Sequence, residues 1–134
     1  MKRNLFLPLL ALCTVLIISS CSKSSPAPVT YDSAEGTWVG TYNNGIGGPI
    51  TYFSLNFKAA GALVVHANNA TTPDIANGTW SQNGDNITGS YTFTGSSAVY
   101  LFAGKYTSSQ KNMDGTIGLQ PSATGSGVFS ITKN

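Results

Sequence analysis

The sequence predicts an all-β protein, an eight-stranded antiparallel up-and-down barrel, and three observations carry that prediction. From Gly36 onward, apolar residues alternate with Ser and Thr at a period of two, the repeat of a strand with one face buried. Turn formers break this alternation about every ten to fifteen positions. A glycine followed two residues later by a large side chain recurs, in Gly36-Thr37-Trp38, Gly40-Thr41-Tyr42, Gly78-Thr79-Trp80, Gly89-Ser90-Tyr91, Gly104-Lys105-Tyr106 and Gly115-Thr116-Ile117.

The first strand is expected over Gly36–Asn43 and ends at Asn43-Asn44-Gly45, a turn sequence. Ile50–Lys58 and Gly61–Ala67 follow, divided by Ala60-Gly61. The fourth and fifth, Asn77–Gln82 and Asn86–Thr94, flank Asn83-Gly84-Asp85, the sharpest hairpin signal in the chain. Ala98–Thr107 begins after Thr94-Gly95-Ser96. Met113–Leu119 and Gly127–Lys133 are joined by Pro121 to Gly125. Connections this short allow antiparallel neighbours only, because a parallel crossover needs a dozen or more residues. No stretch after Cys21 has the spacing of a stable helix.

One choice of face sorts most of the chain. Trp38, Tyr42, Phe53, Leu55, Phe57, Trp80, Ile87, Tyr91, Phe93, Phe102, Tyr106, Ile117, Phe129 and Ile131 turn inward, which leaves mainly Ser and Thr outside. In each glycine tripeptide the two flanking positions share a face, so the strand can coil at the glycine while the neighbouring ring covers its backbone. Repeated coiling favours closure, which removes the edges an open sheet would expose. A two-sheet β-sandwich shares the alternation and is the alternative. The weight of inward aromatics predicts a mostly filled core with a shallow opening.

The first twenty residues are expected to be a signal peptide: Lys2 and Arg3, an apolar run from Leu5 to Ile18, then Ser19 and Ser20 before a cysteine. Pro8 and the short run argue against a membrane-spanning helix. Ile18-Ser19-Ser20-Cys21 resembles the lipobox of bacterial lipoproteins. That resemblance implies that Cys21 is acylated, becomes the first mature residue and anchors the protein in the cell envelope, expected at the outer membrane. Residues 21–34, with Ser24-Ser25-Pro26-Ala27-Pro28, are expected to form a lipidated flexible tether, and residues 35–134 the barrel domain.

Without the leader the charges balance. Lys23, Lys58, Lys105, Lys111 and Lys133 face Asp32, Glu35, Asp74, Asp85 and Asp114, and no arginine follows Arg3. Scattered lysines give no basic patch, so no nucleic-acid partner is expected. Cys13 leaves with the leader and Cys21 carries lipid, so the domain folds without a disulfide.

Gly36-Thr37-Trp38, Thr88-Gly89-Ser90-Tyr91 and Ala103-Gly104-Lys105-Tyr106, spread diffusely over residues 35–133, resemble small eight-stranded barrels of the avidin and lipocalin-like kind. The resemblance implies the barrel and a cup for a ligand. Gly40 stands where avidins place a polar ligand-binding side chain, and Trp80 is the only other tryptophan, so biotin is not the expected ligand. The ligand expected is a small apolar molecule, with Trp38, Tyr42, Trp80, Tyr91 and Tyr106 as candidate binding residues. Some small lipoprotein barrels inhibit proteases through a disulfide-stapled form that this chain lacks. A structural or inhibitory envelope lipoprotein with a filled barrel is the alternative function.

Neither an enzyme nor a metal or cofactor site is expected. His66 is the only histidine, no thiol is free, and no elbow motif marks a nucleophilic serine. Asp32 and Glu35 precede the first strand and Asp85 sits in a turn, which leaves no paired carboxylates. Catalysis would require His66 to meet Asp74 or Asp114 beside an exposed hydroxyl. In the sixth strand Val99, Leu101 and Ala103 would form an apolar outer stripe, a candidate interface with the tether, a second copy or an envelope protein.

Overall fold

A computed structural model describes residues 30–45 and 47–134. The expected signal peptide, Cys21 and the first residues of the tether lie outside the described residues. Each of eight strands pairs antiparallel with its chain neighbours, and the last returns to the first, giving a closed barrel in simple up-and-down order. They are β1 Gly36–Asn43, β2 Ile50–Phe57, β3 Ala62–Asn68, β4 Asp74–Asn83, β5 Asn86–Phe93, β6 Val99–Thr107, β7 Asn112–Leu119 and β8 Gly127–Lys133. Single 3-10 turns at Ala59–Gly61 and Ser108–Gln110 are the only helical backbone among the described residues.

Closure is made by β1 and β8, registered from Trp38 opposite Lys133 to Asn43 opposite Val128. The alternation decides which face turns in. Trp38, Leu55, Val65 and Ile87 are completely buried, and every inward assignment is buried or packed against the buried cluster. Leu63, Val65, Ala67, Ala76 and Met113 join the core as well. The sandwich alternative is excluded by the continuous ladder.

β4 begins at Asp74, three residues before the expected Asn77. The Asp74-Ile75-Ala76 segment follows a proline and reads as a loop. Pairing overrides that local reading: Ala67 registers with Asp74, and the Thr94 backbone N–H donates to the Ile75 carbonyl at 2.9 Å.

At the glycines neighbouring backbone and rings come close, and the ring cover differs from the one expected. A Cβ on Gly78 would stand 1.8 Å from the Ser90 carbonyl oxygen, so the two strands approach more closely than a side chain permits. At Gly115 the occupant of the Cβ space is the ring of Phe129, its partner across the ladder, 2.4 Å away. Phe102 covers Gly89 in the same way. The cover comes from across the ladder because directly opposed residues lie ~4.5–5.5 Å apart, closer than residues two positions along one strand.

Residues 31–34, assigned to the tether, belong instead to the fold. Ala34 is fully buried and its carbonyl accepts from Trp38 Nε1 at 2.7 Å. Gln82 clamps the segment: Oε1 accepts from the Ala34 N–H, and Nε2 donates to the Asp32 and Gly84 carbonyls. Lys133 Nζ donates to the Ser33 carbonyl and lies 5.7 Å from the Trp38 ring centroid. A buried indole N–H must find an acceptor, which draws the preceding chain over this end of the barrel.

Candidate functional site

The barrel has two unlike halves. The end where β1 begins is closed by Trp38, Phe57, Trp80 and Tyr106. Trp38 meets Tyr106 edge-on at 5.0 Å between ring centroids, and Phe57 packs on Trp80 at 4.8 Å. Trp80 Nε1 donates to the Lys58 carbonyl at 2.9 Å. These side chains fill the interior and, with Ala34, close it. Trp38, Trp80 and Tyr106 are thus placed together in the packed end, away from the opening.

Tyr42 and Tyr91 lie at the other end, where a cavity of about 180 Å³ opens between the strands. Its walls are Tyr42, Phe53, Ala67, Asn68, Tyr91, Phe93, Tyr100 and Ile117. An outer cleft of about 550 Å³ shares Asn68, Phe93 and Tyr100 and adds Pro73, Asp74, Ile75 and Thr94. The rings form two groups. Tyr91 stacks on Tyr100 at 5.5 Å, with Phe93 nearly perpendicular to both, while Tyr42 tilts against Phe53 at 6.0 Å. Ala67 leaves open what a larger residue would fill.

The polar groups of the mouth are few. Tyr42 Oη donates to the Ser126 carbonyl at 2.5 Å, fixing that ring against the β7–β8 connection. Asn68 adopts a left-handed backbone conformation, φ 69°, which asparagine tolerates better than most residues. Its Nδ2 donates to Asp74 Oδ2, tying β3 to β4 across the rim. Burial, with smaller contributions from Tyr42 and Tyr100, pushes the Tyr91 phenol well above its ordinary value. Burial and then Tyr100 raise Tyr42 as well. Both phenols therefore stay protonated and neutral near pH 7.

The alternation turns Phe53, Phe93 and Ile117 inward without showing that they share one layer with Tyr42, Tyr91 and Tyr100. That shared layer is set by the register between strands. Ala67 carries no signal of its own, Asp74 is marked in the sequence only as a possible partner of His66, and Asn68 only as the start of a loop, Asn68 to Ala76, that could contact a protein partner.

Of the other candidates, His66 and Asp74 are diagonal neighbours on β3 and β4, and Asp114 is remote on β7. His66 faces outward between Ser54 on β2 and Ile75 on β4. Asp114 lies on β7, accepting from Asn112 Nδ2 at 2.7 Å, and Asp74 belongs to the mouth. Among the described residues no group of three or more His, Cys, Asp or Glu side chains could hold a metal ion. Val99, Leu101 and Ala103 face outward and are half-buried. The β7–β8 connection folds back beside them: a Cβ on Gly118, the partner of Leu101, would meet the Ser122 and Thr124 carbonyls, and Ala123 borders the same groove as Leu101 and Ala103.

Fold and site together define a small closed eight-stranded β-barrel, packed at one end and open at the other over an aromatic cavity. No protein-family model matches the chain, and comparison with curated proteins and with solved structures finds no significant match. Among the described residues no helix is long and apolar enough to cross a membrane.

Proposed function

We propose that the protein is a bacterial envelope lipoprotein, anchored through Cys21, whose barrel binds a small apolar molecule at its mouth without chemical conversion. The observation that supports binding is the cavity of about 180 Å³ with its aromatic walls. An apolar cavity of ~150 Å³ accommodates benzene, so this one suits a single ring or a branched group of similar bulk. The remainder of a longer ligand would lie in the outer cleft. A non-catalytic reading accords with the engagement of the Asp74 and Asp114 carboxylates by the Asn68 and Asn112 amides, with His66 on the outer face of β3.

The arrangement also suits an anchored receptor. The chain reaches the barrel at the packed end, through residues 31–34, so an anchor further upstream is joined at the end opposite the mouth. The lipid-bearing cysteine and the envelope location rest on the lipobox resemblance.

Titration of the full chain with small arenes, followed by amide NMR, tests the binding site. Shifts concentrated at the cavity walls, among them Phe53, Ala67, Tyr91 and Tyr100, are expected, and Ala67→Phe is expected to abolish them while the barrel stays folded. Unchanged mouth resonances at saturating arene would overturn the proposal. They would favour the alternative role as a structural or inhibitory lipoprotein with a filled barrel.

A further inference from the structure

Charge is distributed unevenly along the barrel axis. Lys58, Lys111 and Lys133 occupy turns or the strand terminus at the packed end, and Lys105 lies two residues from that end of β6. Asp32, Glu35 and Asp85 belong to the same end, and Asp114 lies two residues inside it on β7. Among the described residues, Asp74 is the single charged side chain at the mouth. It stands in the outer cleft beside Phe93 and Tyr100, rings that also wall the cavity.

From this we infer that the molecule taken at the mouth is a small cation with an apolar shell, a methylated or quaternary ammonium, enclosed by the aromatic rings and balanced by the Asp74 carboxylate. The inference rests on the proposed ligand site and narrows its ligand from any small apolar molecule to a cation whose surface is apolar. Aromatic faces carry negative quadrupole charge and attract a desolvated ammonium, most strongly when several rings surround it. Tyr42, Phe53, Tyr91, Phe93 and Tyr100 supply such rings around one space. A trimethylammonium group has the bulk of a tert-butyl group, which a cavity of about 180 Å³ admits.

The other ligand charges fit less well. An anion would meet a carboxylate and no cationic side chain. A neutral hydrocarbon would use the rings and leave the rim carboxylate without purpose in binding. Asp74 also has a structural task, since it accepts from Asn68 Nδ2 across the rim. Asparagine at position 74 keeps an oxygen for that hydrogen bond and removes only the charge, so Asp74→Asn separates the two tasks.

Calorimetry on the full chain in maltoside detergent would compare choline with its uncharged carbon isostere, in which tert-butyl replaces trimethylammonium. Choline is expected to bind about tenfold more tightly, within the range of a desolvated cation–π site. Asp74→Asn should narrow that preference without changing affinity for the isostere. Equal binding of the two compounds, or a preference for the isostere, would overturn the ammonium assignment and leave the apolar site standing. Absence of binding by both would overturn the assignment and count against the site itself. A preference unchanged in Asp74→Asn would remove the carboxylate from the inference.

Discussion

At Gly78 the chain has no room for a methyl group, because the carbonyl of Ser90 lies where the Cβ would be. Gly78→Ala must therefore move two paired strands apart or twist one away. Overpacking of this kind costs ~1–3 kcal/mol, and a lower urea midpoint for Gly78→Ala is the expected outcome. The same scale governs Tyr91. Its phenol resists ionisation in the fold, whereas in the unfolded chain it ionises near its ordinary value of 10.0. Above about pH 10 the unfolded state holds fewer protons than the native state, so stability that is complete below that pH declines as pH rises towards the folded value. Urea midpoints at about pH 8 and about pH 11 should show the decline, and Tyr91→Phe should lessen it. A midpoint equally pH-dependent in the variant would assign the effect to other tyrosines.

Two elements depart from their local sequence preferences. β4 starts early because its first residues complete the ladder to β3. The β7–β8 connection, Gln120 to Ser126, returns against the outside of the barrel, held where the Gln120 N–H donates to Val99 and the Ser126 N–H to Ile117. This return partly covers the outer stripe of Val99, Leu101 and Ala103. Leu101→Lys would place an ammonium beside the folded-back connection. The expected outcome is a modest fall in melting temperature, from a cost of about 1 kcal/mol, with mass by light scattering unchanged. If the wild type were oligomeric and the lysine variant monomeric, the stripe would instead be an association surface.

For the molecule as a whole, closure divides the interior into a packed end and an open one. The packed end receives Ala34 and the indoles. The mouth keeps a layer of rings around space that Ala67 leaves open. Upstream residues join the barrel opposite the mouth, which makes the expected anchor and the proposed ligand site compatible. Expressed in a bacterium with a lipoprotein pathway, the chain should incorporate labelled fatty acid and pellet with membranes. Cys21→Ser should lose both the label and the membrane association. Label retained in Cys21→Ser would place acylation elsewhere, and an unlabelled wild type would remove the lipoprotein reading.

Strand number, order and inward face were legible in the sequence, because a period of two in hydrophobicity and short glycine-rich and asparagine-rich turns leave an antiparallel meander few alternatives. Trp38, Phe53 and Ile117 each report their face locally. Depth along the barrel axis is different, since it depends on register between strands distant in the chain. Tyr42 and Tyr91 could not be separated from Trp38 and Tyr106 by alternation, which treats every inward position alike. Only the closed sheet brings Ala67, Asn68 and Asp74 beside rings from β1, β5 and β6. Residues 31–34 are drawn to the barrel by partners distant in the chain, the Trp38 indole, Gln82 and Lys133. The sequence by itself determined the pattern of faces, because that is written residue by residue. The tertiary structure decided where the interior is filled and where it is open, because space is left by side chains that meet across the barrel.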